Sequence, residues 1–421
     1  YSVLLDELHN LVDRGQDMFS AAVQKHQFQA AKKESRAAYP TCVKVLNQVN
    51  RAFLALNKSL GSNAPEIEVS AEILKPLCTR LQQFLTHLET LEAPQGLPAE
   101  LTQCLFDAHR FLQVFDKLND DYATFVLDSQ INLTVRLACV HPGQQLQEGY
   151  ALADTLIGFS ATLSPKAYYG DLLGFKTRAQ WLKVPSPFAV KKQRTLIATH
   201  IPVSFQHRSK AIPDLLSLMT TLIAGKRGNY LVFFPSYAFL DDVRIAFEAA
   251  YPDKALHCQT RDMSDDAVKA FTDGFTEDSE RLGFAVMGGR FAEGIDLKGQ
   301  RLSGAMIISL GLAPKTLAQD ALLRRMHSQP AAGAQVEPRP TQVNGYDVAY
   351  RIPALQRVIQ TGGRVIRSEN DQGIVLLVDP RFNAPDNQTY LPEHWQTKII
   401  QSAQELEISL KAFWRSGADS A

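Results

Sequence analysis

The sequence predicts an α/β architecture: a parallel sheet covered by helices on both faces over residues 151–421, preceded by an all-helical insertion over residues 13–150. Three observations carry this expectation. Beyond residue 150, strand-like apolar runs alternate with helical stretches, the mark of a parallel sheet with crossover helices. Several of those runs end abruptly in glycine or polar residues, as strands do where an open sheet presents its carboxyl edge to a ligand. Between about residues 13 and 145 the apolar positions recur instead at helical spacing. With 421 residues, the chain is long enough for two or three domains with separate cores.

Taken in order, Tyr1 to Leu5 is a short apolar run ending in Asp6-Glu7-Leu8-His9, as expected of a buried parallel strand that delivers acids at its carboxyl end. Residues 1–12 therefore stand apart from the helical stretch beyond them. That stretch holds three stripes: Val45, Val49, Phe53, Leu56 and Leu60; Leu77, Leu81, Leu85 and Leu88; Leu101, Leu105, Ala108, Leu112 and Phe115. They read as core, with breaks at Gly61–Glu66 and Pro94–Pro98. The strand candidates beyond are Thr155–Phe159, Thr195–Thr199, Tyr230–Phe234, Phe284–Met287, Ala305–Ser309 and Ile374–Val378. Residues 328–345, rich in proline, alanine, glycine and glutamine, read as a flexible surface insertion.

Composition narrows the function classes. Lysine and arginine number 44, as do aspartate and glutamate, so there is no global field and a nucleic-acid partner must be held by local basic patches. Candidates are Lys32/Lys33/Arg36, Lys191/Lys192/Arg194, Arg208/Lys210 and Lys226/Arg227. Five scattered cysteines, odd in number and without Cys-x-x-Cys spacing, argue against a disulfide framework, a zinc site or a local iron-sulfur site. A reducing cytoplasm fits best. No apolar run is long enough to span a bilayer, and no basic segment followed by an apolar one opens the chain. The opening residue is tyrosine, directly on a strand-like run, which reads as the remainder of a longer protein.

Residues 360–373, from Gln360 through Gly363, Arg364, Arg367 and Asp371 to Gly373, are the most informative segment. Arg364 and Arg367 are spaced to share one helix face, and guanidinium forks suit phosphate oxygens. Taken alone, a solvated basic turn explains them equally well. Four further motifs stand in order before them. Asp6-Glu7-Leu8-His9 resembles a DExH box, and Ser160-Ala161-Thr162-Leu163-Ser164-Pro165 a SATLSP motif. Phe233-Phe234-Pro235-Ser236-Tyr237 resembles the segment after the first strands of a second motor domain. Gly288 to Asp296, containing Arg290, Glu293 and Gly294, resembles an EG-x-D motif. Together the five resemble the XPD/DinG branch of superfamily 2 DNA helicases.

That resemblance implies a RecA-like second motor domain over residues 151–421, an arch domain over 13–150, and in residues 1–12 the last strand of a truncated first motor domain. It implies an ATP-dependent helicase, 5′ to 3′ in direction, acting on single-stranded or forked DNA. Asp6 would hold magnesium and Glu7 would position or deprotonate the attacking water. His9 would relay to the second domain; a structural hydrogen-bonding role is the other reading. Gln360, Arg364 and Arg367 would meet the γ-phosphate, with Gly363 allowing close backbone approach. Glu293, Gly294 and Asp296 would couple nucleotide to nucleic acid, the competing reading being an ordinary polar turn. Ser236, Tyr237 and Arg290 are the expected DNA contacts, with Tyr237 either stacking on a base or packing in the core.

A phosphate-cradling G-x-x-x-x-G-K-[ST] loop is absent from the sequence. Gly311-Leu312-Ala313-Pro314-Lys315-Thr316 has Pro314 where the second glycine must stand. In the family that loop, and the cysteines of the iron-sulfur cluster many members carry, lie upstream of the acid box. This chain alone is therefore expected to be hydrolytically inactive, with an exposed apolar edge that favours self-association. The alternatives are a non-catalytic single-stranded DNA-binding or protein-interaction platform, and a DinG-like nuclease whose acids lie upstream.

Overall fold

The computed structural model describes residues 1–61, 64–91, 96–129, 132–175, 179–293, 297–327 and 343–418. Two compact units divide the chain: Tyr1–Gln180 with Lys315–Ala349, and Trp181–Pro314 with Tyr350–Ala421. Most of the predicted surface insertion, residues 328–342, lies outside the described residues. Among those described, no helix is long and apolar enough to cross a membrane.

The first unit carries β1 (Ser2–Leu5), β2 (Ala21–Gln24), β3 (Glu66–Glu68), β4 (Tyr122–Asp128), β5 (Leu133–Cys139) and β6 (Thr155–Gly158). Strands β1 and β6 pair in parallel, Ser2 opposite Thr155 through Leu5 opposite Gly158. The strand is not buried but exposes the apolar surface expected of it in this chain alone: Leu4 is 67 % exposed and Ile157 53 %. The reason is that β1 and β6 form a sheet of two strands, which cannot cover its own faces.

The insertion is likewise not all-helical. Helices Lys25–Ala38, Pro40–Leu60, Lys75–Glu89 and Ala99–Phe115 pack on an antiparallel sheet of order β2-β5-β4-β3. Residues 122–139 are rich in β-branched and aromatic side chains, and they pair as a hairpin running from Tyr122 opposite Cys139 to Asp128 opposite Leu133. The leucine stripes do form the core. Leu77, Leu81, Leu85 and Leu88 are all buried, and Phe28 sits edge-on to Phe84 at 5.7 Å between ring centroids. Burial pushes the Cys78, Cys104 and Cys139 thiols up to about 12, so they pack as neutral side chains. Helix Leu317–His327 is tied to this unit by Arg324 on Glu68 and by Arg325, whose Nε donates to the buried Asp121 at 2.8 Å.

In the second unit, β7 (Gln193–Ala198), β8 (Tyr230–Phe234), β9 (Leu256–Cys258), β10 (Leu282–Val286), β11 (Gly304–Ile308), β12 (Gly373–Val378) and β13 (Lys398–Ile400) form one parallel sheet. Its order is β13-β7-β12-β11-β8-β10-β9. Central strands β8, β11 and β12 are buried at every residue, as a sheet covered on both faces requires. Alternate side chains feed two cores. Tyr230, Val232 and Phe234 join helices Arg208–Gly225, Tyr237–Ala250 and Ala403–Ala418 on one face. Leu231 and Phe233 join Phe271, Leu355 and Val358 from helices Asp265–Asp273 and Ile352–Gly362 on the other.

Candidate nucleotide and nucleic-acid sites

In the first unit, the pairing of β1 with β6 brings the acid box and the SATLSP segment out of adjacent strand ends. Leu8 N donates to the Phe159 carbonyl at 3.1 Å, and Phe159 N to Leu5 at 3.0 Å. His9 Nδ1 lies 2.7 Å from Ser160 Oγ, which also donates to Glu7 Oε2 at 3.3 Å and accepts from Thr162 N at 3.1 Å. One serine hydroxyl thus joins the glutamate and the histidine. Asp6 and Glu7 are exposed, whereas Leu8 is buried at 2 %. A Cβ on Gly158 would lie 2.3 Å from Leu8 Cδ2, so the bulky third residue of this box depends on glycine in the neighbouring strand. Glu7 has φ +48° and ψ +47°, a left-handed conformation costing a non-glycine residue about 1–2 kcal/mol. Such strain gathers at functional sites, where it fixes the direction of a side chain.

In the second unit, helix Ile352–Gly362 carries half-buried Gln360 on its last turn and then stops. Arg364 and Arg367 come after it, so the expected shared helix face is corrected to a loop at the amino edge of the sheet, ahead of β12. The helix ends in three-residue turns, Arg364 N donating to the Thr361 carbonyl and Val365 N to Gly362, and Asp371 holds the stretch beyond. Its buried carboxylate accepts from Arg367 N at 2.6 Å, Ser368 N at 2.8 Å, Ser368 Oγ at 2.6 Å and Gly299 N at 3.0 Å. Those amides are claimed by the carboxylate and cannot continue a helix. Val365 and Ile366 plug the loop into the core, and a Cβ on Gly373 would lie 2.3 Å from Val365 Cγ1. Gly363 is exposed, with φ −66°, an ordinary right-handed conformation. The tighter neighbour is Gly362, where a Cβ would lie 2.6 Å from the Trp395 ring.

The carboxyl edge of the same sheet holds the residues expected to meet nucleic acid. Ser236 caps helix Tyr237–Ala250, its Oγ accepting from Phe239 N at 3.3 Å. Half-buried Tyr237 accepts at Oη from Gln259 Nε2 at 2.7 Å, and the Arg261 guanidinium lies over its ring, 5.0 Å from the centroid. Exposed Arg290 pairs with Asp265. Tyr237, Gln259, Arg261, Gly289, Arg290 and Phe291 line one cavity of about 390 Å³. Tyr237 and Arg290, from motifs far apart in sequence, thus share a site. Gly294 and Asp296 lie outside the described residues, as does the side chain of Glu293. Arg357, from the helix that carries Gln360, lies beside Gly288 and donates to the Gly311 carbonyl at 2.9 Å.

Sequence reasoning names Ser160 only as the first member of its motif, and does not single out Arg357, Gln259, Arg261 or the staple formed by Asp371. Asp371 is visible only as a fixed member of its motif. Gln259 and Arg261 lie just past a three-residue strand, too short for a periodicity signal.

Comparison with known proteins bears on this arrangement. Residues 219–398 match the helicase C-terminal domain family. The ATP-dependent DNA helicase CHL1 of Candida glabrata is 22 % identical over 470 residues, covering 99 % of this chain and 55 % of that protein. A probable ATP-dependent helicase of Methanocaldococcus jannaschii is 29 % identical over 58 % of the chain and 37 % of its own length. A solved XPD helicase superposes with a TM-score of 0.58 over 95 % of this chain and 68 % of its own, at 18 % identity. The chain is thus similar to XPD-like superfamily 2 helicases, in sequence to the CHL1 relatives and in fold to XPD. The region matched by the helicase C-terminal domain family takes in Tyr237, Arg290 and both arginines of the amino-edge loop, while the acid box lies outside it. The chain spans about half the length of the CHL1 proteins it matches, 55 % and 54 % for those of Candida glabrata and Debaryomyces hansenii.

Proposed function

We propose that the chain is the C-terminal part of an ATP-dependent DNA helicase that couples hydrolysis to translocation along single-stranded DNA and to duplex unwinding, 5′ to 3′. The convergence of Glu7, His9 and Ser160 at neighbouring strand ends carries this reading, because phosphoryl transfer needs a held carboxylate and a polar relay at one point. Asp6 holds magnesium: exposed carboxylate oxygens suit a cation that keeps several waters and takes one or two protein carboxylates. An ion held there would supply positive charge against the phosphate oxygens. Glu7 orients the water, and Ser160 keeps Glu7 and His9 in register. Gln360 from the last turn of its helix, and Arg364 and Arg367 from the loop after it, serve the γ-phosphate, and Glu293, Gly294 and Asp296 couple nucleotide to DNA. Tyr237, Arg290 and Ser236 serve the strand.

The reading includes a first motor domain supplying the phosphate-cradling loop. The exposed Leu4, Ile157 and Phe159 support this, since a two-stranded parallel sheet with a bare apolar face calls for further layers. The reducing cytoplasm is its setting, which suits five free cysteines. In a longer protein containing these residues, Glu7→Gln and the pair Arg364→Ala/Arg367→Ala lower ATP turnover by about 100-fold or more while strand binding persists. Undiminished unwinding by the double arginine variant sinks the assignment. The 421-residue chain alone shows no magnesium-dependent ATP turnover on this reading, and measurable turnover refutes it.

A further inference from the structure

The cavity at the carboxyl edge of the second unit contains a buried polar group whose bonds all point to a single task. Gln259 is 7 % exposed, so its side chain is no surface contact. Its main-chain N donates to the Phe284 carbonyl at 2.8 Å, its Oε1 accepts from Val286 N at 2.8 Å, and its Nε2 donates to Tyr237 Oη at 2.7 Å. The Val286 amide needs an acceptor, which fixes the orientation of the side-chain amide and turns the Nε2 group onto the tyrosine. The phenol is therefore tied at its far end, through Gln259, to the backbone of β10. Over the ring lies the exposed Arg261 guanidinium, and exposed Arg290 stands at the rim.

We propose that this cavity is a subsite for one nucleotide of a single strand, in which Tyr237 is the base platform, Gln259 is the positioning residue that holds the platform, and Arg261 takes the adjoining phosphate. A volume of about 390 Å³ is near the lower end of ligand pockets, which suits a single nucleotide. An aromatic face with a guanidinium beside it matches a planar base joined to an anion, a chemistry that tolerates any base. Base stacking is stronger than a cation over an exposed ring, so an entering base displaces Arg261 from the Tyr237 face and leaves its charge next to the phosphate. The proposal rests on the reading that Tyr237 meets single-stranded nucleic acid, and adds Gln259 and Arg261 to it.

The experiment measures binding of the 421-residue chain to fluorescein-labelled oligo(dT), and quenching of 2-aminopurine placed within an oligonucleotide at saturating protein. Tyr237→Ala weakens binding about 10-fold or more and abolishes the quenching. Tyr237→Phe keeps the ring but loses the pin, and weakens binding by about 5-fold with partial loss of quenching. Gln259→Leu also frees the ring, and the double variant Tyr237→Phe/Gln259→Leu binds no more weakly than Gln259→Leu alone, because the bond between phenol and amide is already lost in it. Gln259→Glu keeps an acceptor for Val286 N and for the phenol, and restores binding. Arg261→Gln lowers the slope of log affinity against log salt by about 0.7 and leaves quenching intact.

The outcomes separate the two claims. If Tyr237→Ala binds and quenches as the parent does, the strand reading falls and takes this inference with it. If Tyr237→Ala loses binding while Tyr237→Phe matches the parent, the positioning role falls and the strand reading stands. Should Gln259→Leu not fold, Tyr237→Phe reads the same bond without disturbing the buried amide. An unchanged salt slope in Arg261→Gln overturns the phosphate contact.

Discussion

The two edges of the seven-stranded sheet hold their charged side chains by opposite means. At the amino edge, one buried carboxylate, Asp371, takes four donors and fixes the backbone of the loop that carries Arg364 and Arg367. At the carboxyl edge the side chains surround a cavity, where Tyr237 is held by the buried Gln259 and the arginines stay exposed. A loop fixed through its backbone presents a charge at a constant place, which suits a phosphate that must be met in one geometry. An open cavity with exposed arginines admits ligands that differ in shape, which suits a strand of any sequence.

The comparison breaks most visibly at Asp371. Asp371→Ala removes charge-assisted bonds to three amide donors and a hydroxyl, and a loss of about 3 kcal/mol in urea denaturation is expected, with amide exchange at residues 367–372 rising above the rest of the unit. An unchanged midpoint shows that the loop is held by Val365 and Ile366 alone. Next comes Gly373→Ala. Its Cβ would meet Val365 Cγ1 at 2.3 Å, so overpacking of about 1–3 kcal/mol should appear in the same measurement, and relief by the added change Val365→Ala identifies the clash.

Smaller effects sharpen the carboxyl edge. Ser236→Ala loses the cap of helix Tyr237–Ala250 and is expected to cost about 1 kcal/mol; if strand affinity falls beyond what that destabilisation explains, Ser236 also touches the strand. The smallest effect is at His257 on β9, where burial, followed by the Arg281 charge, lowers its affinity for a proton below the ordinary value of 6.5. The unfolded chain then binds the proton more readily, so stability is retained above that value and declines as pH falls through it. Thermal melts between about pH 7.5 and 5 should fall less steeply for His257→Gln than for the parent.

Much of this organisation is legible in the residues. The stripe Leu77, Leu81, Leu85, Leu88 is core, because a 3.6-residue period leaves no other face to bury. Tyr230–Phe234 has the same bounds in sequence and structure, since a run of five apolar residues closed by Pro235 has few alternatives. Strands β9 and β13, with three residues each, carry too little pattern to be seen. The hairpin at 122–139 hides behind the long periodic segments before it, which dominate the window and make it look like more helix. Among site residues, the acid box and the arginine pair stand out by residue type and spacing. The partners that hold them do not.

What the sequence determined by itself is the order of elements, the faces they bury and the chemistry brought to their ends, because periodicity and residue type are local properties. Tertiary structure alone decided which groups meet. Ser160 reaches Glu7 across 153 positions, Asp371 reaches Gly299 across 72 and Gln259 reaches Tyr237 across 22. Each is a hydrogen bond set by strand register, and register between distant strands is fixed by the packing of the whole sheet rather than by any short stretch of residues.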